Sequence, residues 1–168
     1  MTAKADSSAS ASHVAGKTSK TQGFDYDLVV IGSGPSGQRA AIQAAKLGKR
    51  TAIIERARAV GGVCVHTGTI PSKTFREAVI HLSGFRERGI YGSSYRVKQD
   101  IGIDDLLYRV QLVVRSEIDV IRNQMTRNRV ELIESTARFV DAHTLELESA
   151  SGHGRRQISA DKIGRAHV

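Results

Sequence analysis

Tryptophan is absent from these 168 residues, cysteine occurs once, proline and methionine twice each, and the aromatics come to four Tyr and four Phe. One cysteine, Cys64, cannot close an internal disulfide and excludes a structural zinc cluster built on cysteines, so no metal site is expected. That pattern fits a reducing compartment, and the cytoplasm is the expected location. No apolar run approaches the ~20 residues a membrane span requires, so no membrane partner is expected. Hydrophobic content of 40% with 25% charged residues is that of a soluble globular protein, in a length that suits one domain. Acidic residues are scarce too, 17 against 25 basic ones, for a formal charge of +8. Such a charge invites a nucleic-acid reading. Here Arg and Lys are scattered and the rings available for stacking are few, so the charge reads as a solvated surface, or a chain lacking acidic parts, with no nucleic acid bound.

Residues 1–23 are mostly Ser, Ala, Lys and Thr. They cannot bury enough surface to offset the entropy of ordering, and a disordered tail is expected. The tail has neither the apolar segment of a secretory signal nor any Arg of a transit peptide, so it reads as a non-targeting extension. From Phe24 the texture changes. Asp25 to Gly32, "DYDLVVIG", is a short β-branched apolar run that reads as a buried parallel strand. Pro35 to Gly48 reads as a helix, with proline at the first helical position and a glycine stop. Lys49 to Glu55 is a second strand, which completes a right-handed βαβ unit. Further on, Ser72 to about His81 reads as a helix and 86–98 as a loop. A long amphipathic helix is expected from Asp104 to Arg127. Its apolar positions Leu106, Leu107, Val110, Val113, Val114, Ile118, Ile121 and Met125 follow one buried stripe. Strands separated by a turn follow. The fold class is α/β: a Rossmann-like domain with a parallel sheet, a βαβ unit, a long helix and a β-meander, occupying residues 24–162.

Gly32, Gly34 and Gly37 form a GxGxxG pattern, "GSGPSG". It follows a predicted strand, opens a predicted helix at Pro35 and Ser36, and is followed about 18 residues later by Glu55, an arrangement expected of a dinucleotide site. Gly32 makes the tight turn, Gly34 lets the backbone approach a pyrophosphate, and Gly37 lets the helix lie close to the sheet. The pyrophosphate would meet free N–H groups at the positive helix end. Glu55, with Arg56 beside it, stands where a carboxylate accepts hydrogen bonds from an adenosine ribose. The pattern is the same for FAD and NAD.

A second motif, "GGVCVHTGTIPSK" (Gly61 to Lys73), follows the first. The two in this order resemble the N-terminal FAD domain of the pyridine nucleotide-disulfide oxidoreductases, the family of dihydrolipoamide dehydrogenase and glutathione reductase, over about Asp25 to Lys162. The resemblance implies FAD in the cradle of Gly32, Gly34 and Gly37, Glu55 on the ribose, and the Gly61-Gly62 turn and Cys64 running beside the cofactor. Typical members carry a second redox cysteine five positions after the first, where this chain has Thr69. A threonine can form neither a disulfide nor a thiolate, so the dithiol relay is absent. That departure is similar to one branch, the soluble pyridine nucleotide transhydrogenases, which pass hydride from NADPH through FAD to NAD. On that resemblance NADP and NAD are substrates whose site is not in this chain, and the full-length parent is a homo-oligomer. The alternatives are a flavin reductase of a quinone or other small acceptor, a dihydrolipoamide dehydrogenase-like protein without its dithiol, or an FAD-binding fragment without turnover. The parent is expected to be the enzyme, and this chain by itself to be inactive.

By resemblance Lys73 is the cation near the flavin ring; the plain alternative is a surface lysine at a helix start. Cys64, lacking a partner, reads as a small inert side chain that touches the cofactor. His66 has no assigned role. Ala137, in "ESTARF", matches a backbone position at the adenine end in relatives, although Ser135 stands where many of them have glycine. After Lys162 an apolar strand is expected, yet "IGRAHV" carries Gly164, Arg165 and His167 in its place. This hexapeptide matches a reading frame of a common sequencing adapter. Residues 163–168 are therefore expected to be a non-native tail on a domain incomplete at its C-terminus, which sequencing the locus across Lys162 would decide.

Overall fold

The computed structural model describes residues 23–95, 100–149 and 154–165; the expected tail over residues 1–22, part of the expected loop at residues 96–98, and residues 166–168 lie outside the described residues. Strand β1 (Tyr26–Ile31) and strand β2 (Thr51–Glu55) pair in parallel with Leu28 opposite Thr51 and Ile31 opposite Ile54. Helix α1 (Pro35–Lys46) crosses between them. Helices α2 (Gly62–His66), α3 (Thr69–Leu82), α4 (Arg88–Tyr91) and α5 (Ile103–Arg127) lead to strands β3 (Glu131–Phe139), β4 (Thr144–Ser149) and β5 (Arg155–Arg165). β2 pairs with β3, and β1 with β5, so the parallel order is β3-β2-β1-β5. The outer strands β3 and β5 outlast this sheet. Residues 135–139 and 155–159 pair antiparallel with β4, which closes the strands into a ring.

The central strands β1 and β2 are largely apolar on both faces because both faces are covered. Successive residues point to opposite sides, so Val29 and Ile54 join Leu145, Leu147 and Ile158 between the two sheets. Their neighbours Val30 and Ile53 join Ala41, Val60, Val65, Ile121 and Met125 under the helices.

Three expectations need correction. First, Ile163, Gly164 and Arg165 do form a strand: they continue β5 opposite Val29, Val30 and Ile31. Main-chain pairing does not require apolar side chains, and among the described residues β5 borders the parallel sheet, where the Arg165 side chain is exposed. Second, the stretch read as a loop contains the single turn α4. Third, the stripe on α5 is buried only toward its C-terminal end. Ile121 and Met125 are buried, and Val114 and Ile118 pack beside them, while Leu107 is 40% exposed. The C-terminal half of α5 packs beside the sheet core, whereas around Asp105 and Tyr108 it lines a surface cleft with α3 and with Arg86 and Glu87. Asp104 and Asp105 occupy its first turn and Arg127 its last, the distribution the helix dipole favours. Among the described residues no helix is long and apolar enough to cross a membrane.

Candidate dinucleotide-binding site

The carboxyl ends of β1 and β2 hold the glycine motif and Glu55, the place where ligands bind in open α/β sheets. Gly32 turns the chain out of β1 with a φ of 99°, and its N–H donates to the Ile54 carbonyl at 2.8 Å. Gly34 caps α1, with no side chain bonded over the helix end and Pro35 behind it. The amides of Ser36 and Gly37 lie in the first turn, where a helix provides no acceptor. Pro35 and Ser36 are exposed. A Cβ on Gly34 would meet nothing within 4 Å. Packing therefore does not demand glycine there, and the space beside the Gly34 Cα is open. Gly37 differs: its Cβ would overlap the Gly32 carbonyl oxygen and lie 3.1 Å from Val30 Cγ1.

Glu55 is 8% exposed. Its Oε2 accepts from the Ser33 amide at 2.8 Å and the Ser33 hydroxyl at 2.6 Å, and its Oε1 from the Ala57 amide at 3.1 Å. Burial pushes the carboxyl pKa up, but the Ser33 hydroxyl and amide and the Ala57 and Arg56 amides outweigh it and hold the group below the ordinary carboxylate value. Arg56 itself is exposed.

The Gly61-Gly62 turn is continuous with helix α2, which was not legible in the sequence. Gly61 has a φ of 119°, and its amide donates to Ser33 Oγ at 3.0 Å. Gly62 approaches the cradle so closely that a Cβ on it would lie 3.1 Å from Gly34 Cα. His66, unassigned from sequence, donates from Nε2 to the Val60 carbonyl at 3.0 Å, which ties the preceding loop to α2. Arg122 reaches the same loop through the Arg58 carbonyl at 3.3 Å.

Cys64 is a half-buried free thiol on α2. Thr69 opens α3, three residues before the expected Ser72 start, with Gly68 as its cap. Pro71 fits inside this first turn because its missing N–H has no partner there anyway. Thr69 and Lys73, both exposed, stand four residues apart and so share a face of α3. A Cβ on Gly68 would lie 2.8 Å from the Val63 carbonyl oxygen and 3.3 Å from Cys64 Cα. Gly68 is thus the close contact between the start of α3 and the backbone of α2. Gly68→Ala is expected to lower stability by about 1–3 kcal/mol, since both clashing partners are backbone; a urea midpoint equal to wild type would disprove the contact.

Ala137 lies three residues beyond the Glu55–Glu134 pair, in the antiparallel part of β3 opposite Leu147, and packs against the core between the sheets. Sequence reasoning passed over Ser33, fully buried, and Gln38, whose Nε2 donates to the Ser33 carbonyl at 2.7 Å. The signal available for Ser33 was a hydroxyl inside the glycine motif. A separate cavity of about 530 Å³ opens at the starting ends of β1, β2 and β3, among Tyr26, Arg50, Thr51 and Glu131. It is at the opposite end of the strands from the cradle.

The family profile described as FAD dependent oxidoreductase matches residues 27–160, and the chain belongs to that family. It is 56% identical over 139 residues to the soluble pyridine nucleotide transhydrogenase of Mycobacterium tuberculosis (strain ATCC 25177 / H37Ra), covering 83% of this chain and 30% of that protein. The protein of the same name from Colwellia psychrerythraea is 40% identical over 140 residues, with the same coverage. Among solved structures, the chain is similar to the HOCl-induced flavoprotein disulfide reductase RclA from Escherichia coli, with a TM-score of 0.64, 26% identity, and coverage of 84% of this chain and 28% of that one. A Cu(II) complex of a mutant of the same reductase gives a TM-score of 0.66 at 26% identity, covering 83% and 28%. The chain spans about 30% of the length of the curated relatives it matches.

Proposed function

We propose that this chain is the FAD-holding part of a flavoprotein that moves a hydride from NADPH to NAD, giving NADP and NADH. The observation that carries the FAD reading is the pairing of open space at Gly34, before unbonded helix amides, with the buried Glu55 carboxylate at the end of β2. Gly32, Gly34, Pro35, Ser36 and Gly37 would hold the pyrophosphate. Glu55 would take the ribose, with Arg56 at the rim, and its charge would disfavour a 2'-phosphate there. When bound, FAD supplies the hydride-exchanging ring. Gly61, Gly62, Cys64, Thr69 and Lys73 would line the approach to that ring. Lys73 would supply positive charge beside it, and Ala137 would stand at the adenine end.

Thr69 supports transhydrogenation over disulfide reduction, because a hydroxyl five positions after Cys64 cannot carry the two-electron thiol exchange a disulfide substrate requires. The 56% identity to soluble pyridine nucleotide transhydrogenase supports the same reading. A cytoplasmic setting and a homo-oligomeric parent protein belong to the same proposal. The sequence carries a single GxGxxG, which favours flavin binding without turnover for these 168 residues by themselves.

The test has two stages. The purified chain mixed with FAD should retain a flavin absorption band after gel filtration. The protein read from the locus across Lys162 should then reduce an NAD analogue with NADPH. Reduction of quinones alone would reject the transhydrogenase reading and leave the flavin one standing.

A further inference from the structure

We propose that Ser33 is the positioning residue of this site, its buried hydroxyl locking the Glu55 carboxylate and the Gly61 amide into the arrangement that receives the adenosine half of FAD. The inference rests on the FAD reading above and concerns a residue that touches Glu55, not the ligand.

The hydrogen positions follow from chemistry. The Gly61 N–H can only donate, so at 3.0 Å it occupies a lone pair of Ser33 Oγ. The single hydroxyl proton then goes to Glu55 Oε2, at 2.6 Å. The Ser33 amide donates to the same oxygen at 2.8 Å. One residue thus fills the two lone-pair positions of Oε2, while Oε1 takes the Ala57 amide at 3.1 Å and keeps acceptor capacity for a ribose hydroxyl. Gln38 holds the Ser33 carbonyl from α1 at 2.7 Å. Three segments distant in sequence meet at this hydroxyl: the phosphate turn, the end of β2 and the start of α2. Ser33 is fully buried, so water cannot replace the hydroxyl without rearrangement.

A double-mutant cycle tests this, with FAD affinity of the 168-residue chain read by fluorescence titration for wild type, Ser33→Ala, Glu55→Ala and the double variant. Ser33→Ala should weaken FAD by about tenfold, the scale of one hydrogen bond to a charged group. In the Glu55→Ala background the same change should cost less than about twofold, because Ser33 acts through Glu55. A second readout covers the case in which Glu55→Ala fails to fold. Without the hydroxyl, burial of Glu55 is less well opposed, so the loss of FAD affinity on acidification should begin at higher pH in Ser33→Ala than in wild type. Additive costs, parallel pH profiles, or a Ser33→Ala affinity within twofold of wild type each overturn the proposal. A wild-type chain that binds no FAD overturns the FAD reading itself, and this inference with it.

Discussion

Gly34→Ala is expected to leave the urea midpoint of the chain nearly unchanged while weakening FAD binding by tenfold or more, whereas Gly37→Ala should destabilise the fold before any ligand is added. The two glycines belong to one motif but meet different surroundings. At Gly34 a Cβ would enter open space, and φ of −65° suits any residue. Exchanging glycine for alanine at a helix N-cap costs only a few tenths of a kcal/mol up to about 1, partly offset by a stiffer unfolded chain. A ligand brought against the Gly34 backbone would meet the new methyl, and a tight contact of that kind costs about 1–3 kcal/mol, or about tenfold and more in affinity. At Gly37 the methyl would run into the Gly32 carbonyl oxygen and press on Val30 Cγ1. The obstacle is backbone that itself bonds to β2 through Ile54, so α1 must lift from the sheet. A loss of about 3 kcal/mol or more is expected, the upper end of overpacking costs. Equal stability losses in both variants, with equal FAD affinity, would mean that the space before Gly34 is not where a ligand sits.

That contrast shows what the sequence could convey. The βαβ unit was legible because both strands are continuous apolar runs and α1 is framed by proline and glycine. The length of α5 followed from its 3,4 spacing. Its depth of burial did not, since spacing shows which face is apolar and not how much of the helix the sheet underlies. α2 escaped detection because five residues with Val63 and Val65 flanking Cys64 alternate as a strand would. The end of β5 was misjudged for a related reason: side-chain patterns report on covered faces, while Gly164 and Arg165 are held by main-chain pairing to Val30 and Ile31. The glycine motif and Glu55 were visible as spacing. The Ser33 bridge between them was not, because it joins residues 22 apart through a turn whose geometry only the fold supplies.

Glu55→Gln should make the chain less stable at neutral pH by about 1.5–3 kcal/mol, the range for hydrogen bonds to a charged group, with the deficit vanishing in acid. Burial raises the pKa of Glu55, yet the Ser33 hydroxyl and amide and the Ala57 and Arg56 amides hold it below the ordinary value. A carboxyl with a depressed folded-state pKa contributes stability above its unfolded value, about 4.3 for glutamate, and loses that contribution as pH falls through the folded value. Below that point the wild-type side chain is a neutral acid, close to glutamine in shape, and the two proteins should unfold at the same urea concentration. Asp25, lowered by the Ser159 amide and hydroxyl despite slight desolvation, and Asp141, lowered by the His143 amide and the Thr144 hydroxyl, also carry pKa values below the ordinary one. Acid unfolding of wild type alone would not isolate Glu55, but both aspartates are common to the two proteins and drop out of the difference. Urea midpoints at pH 7, 5 and 3 follow the gap, which should narrow once pH falls below the unfolded value. A gap that persists unchanged at pH 3 would assign the loss to amide packing and not to the carboxylate charge. A gap that closes identifies Glu55 as ionised in the folded chain, the state in which it can accept hydrogen bonds from ribose hydroxyls and repel a phosphate.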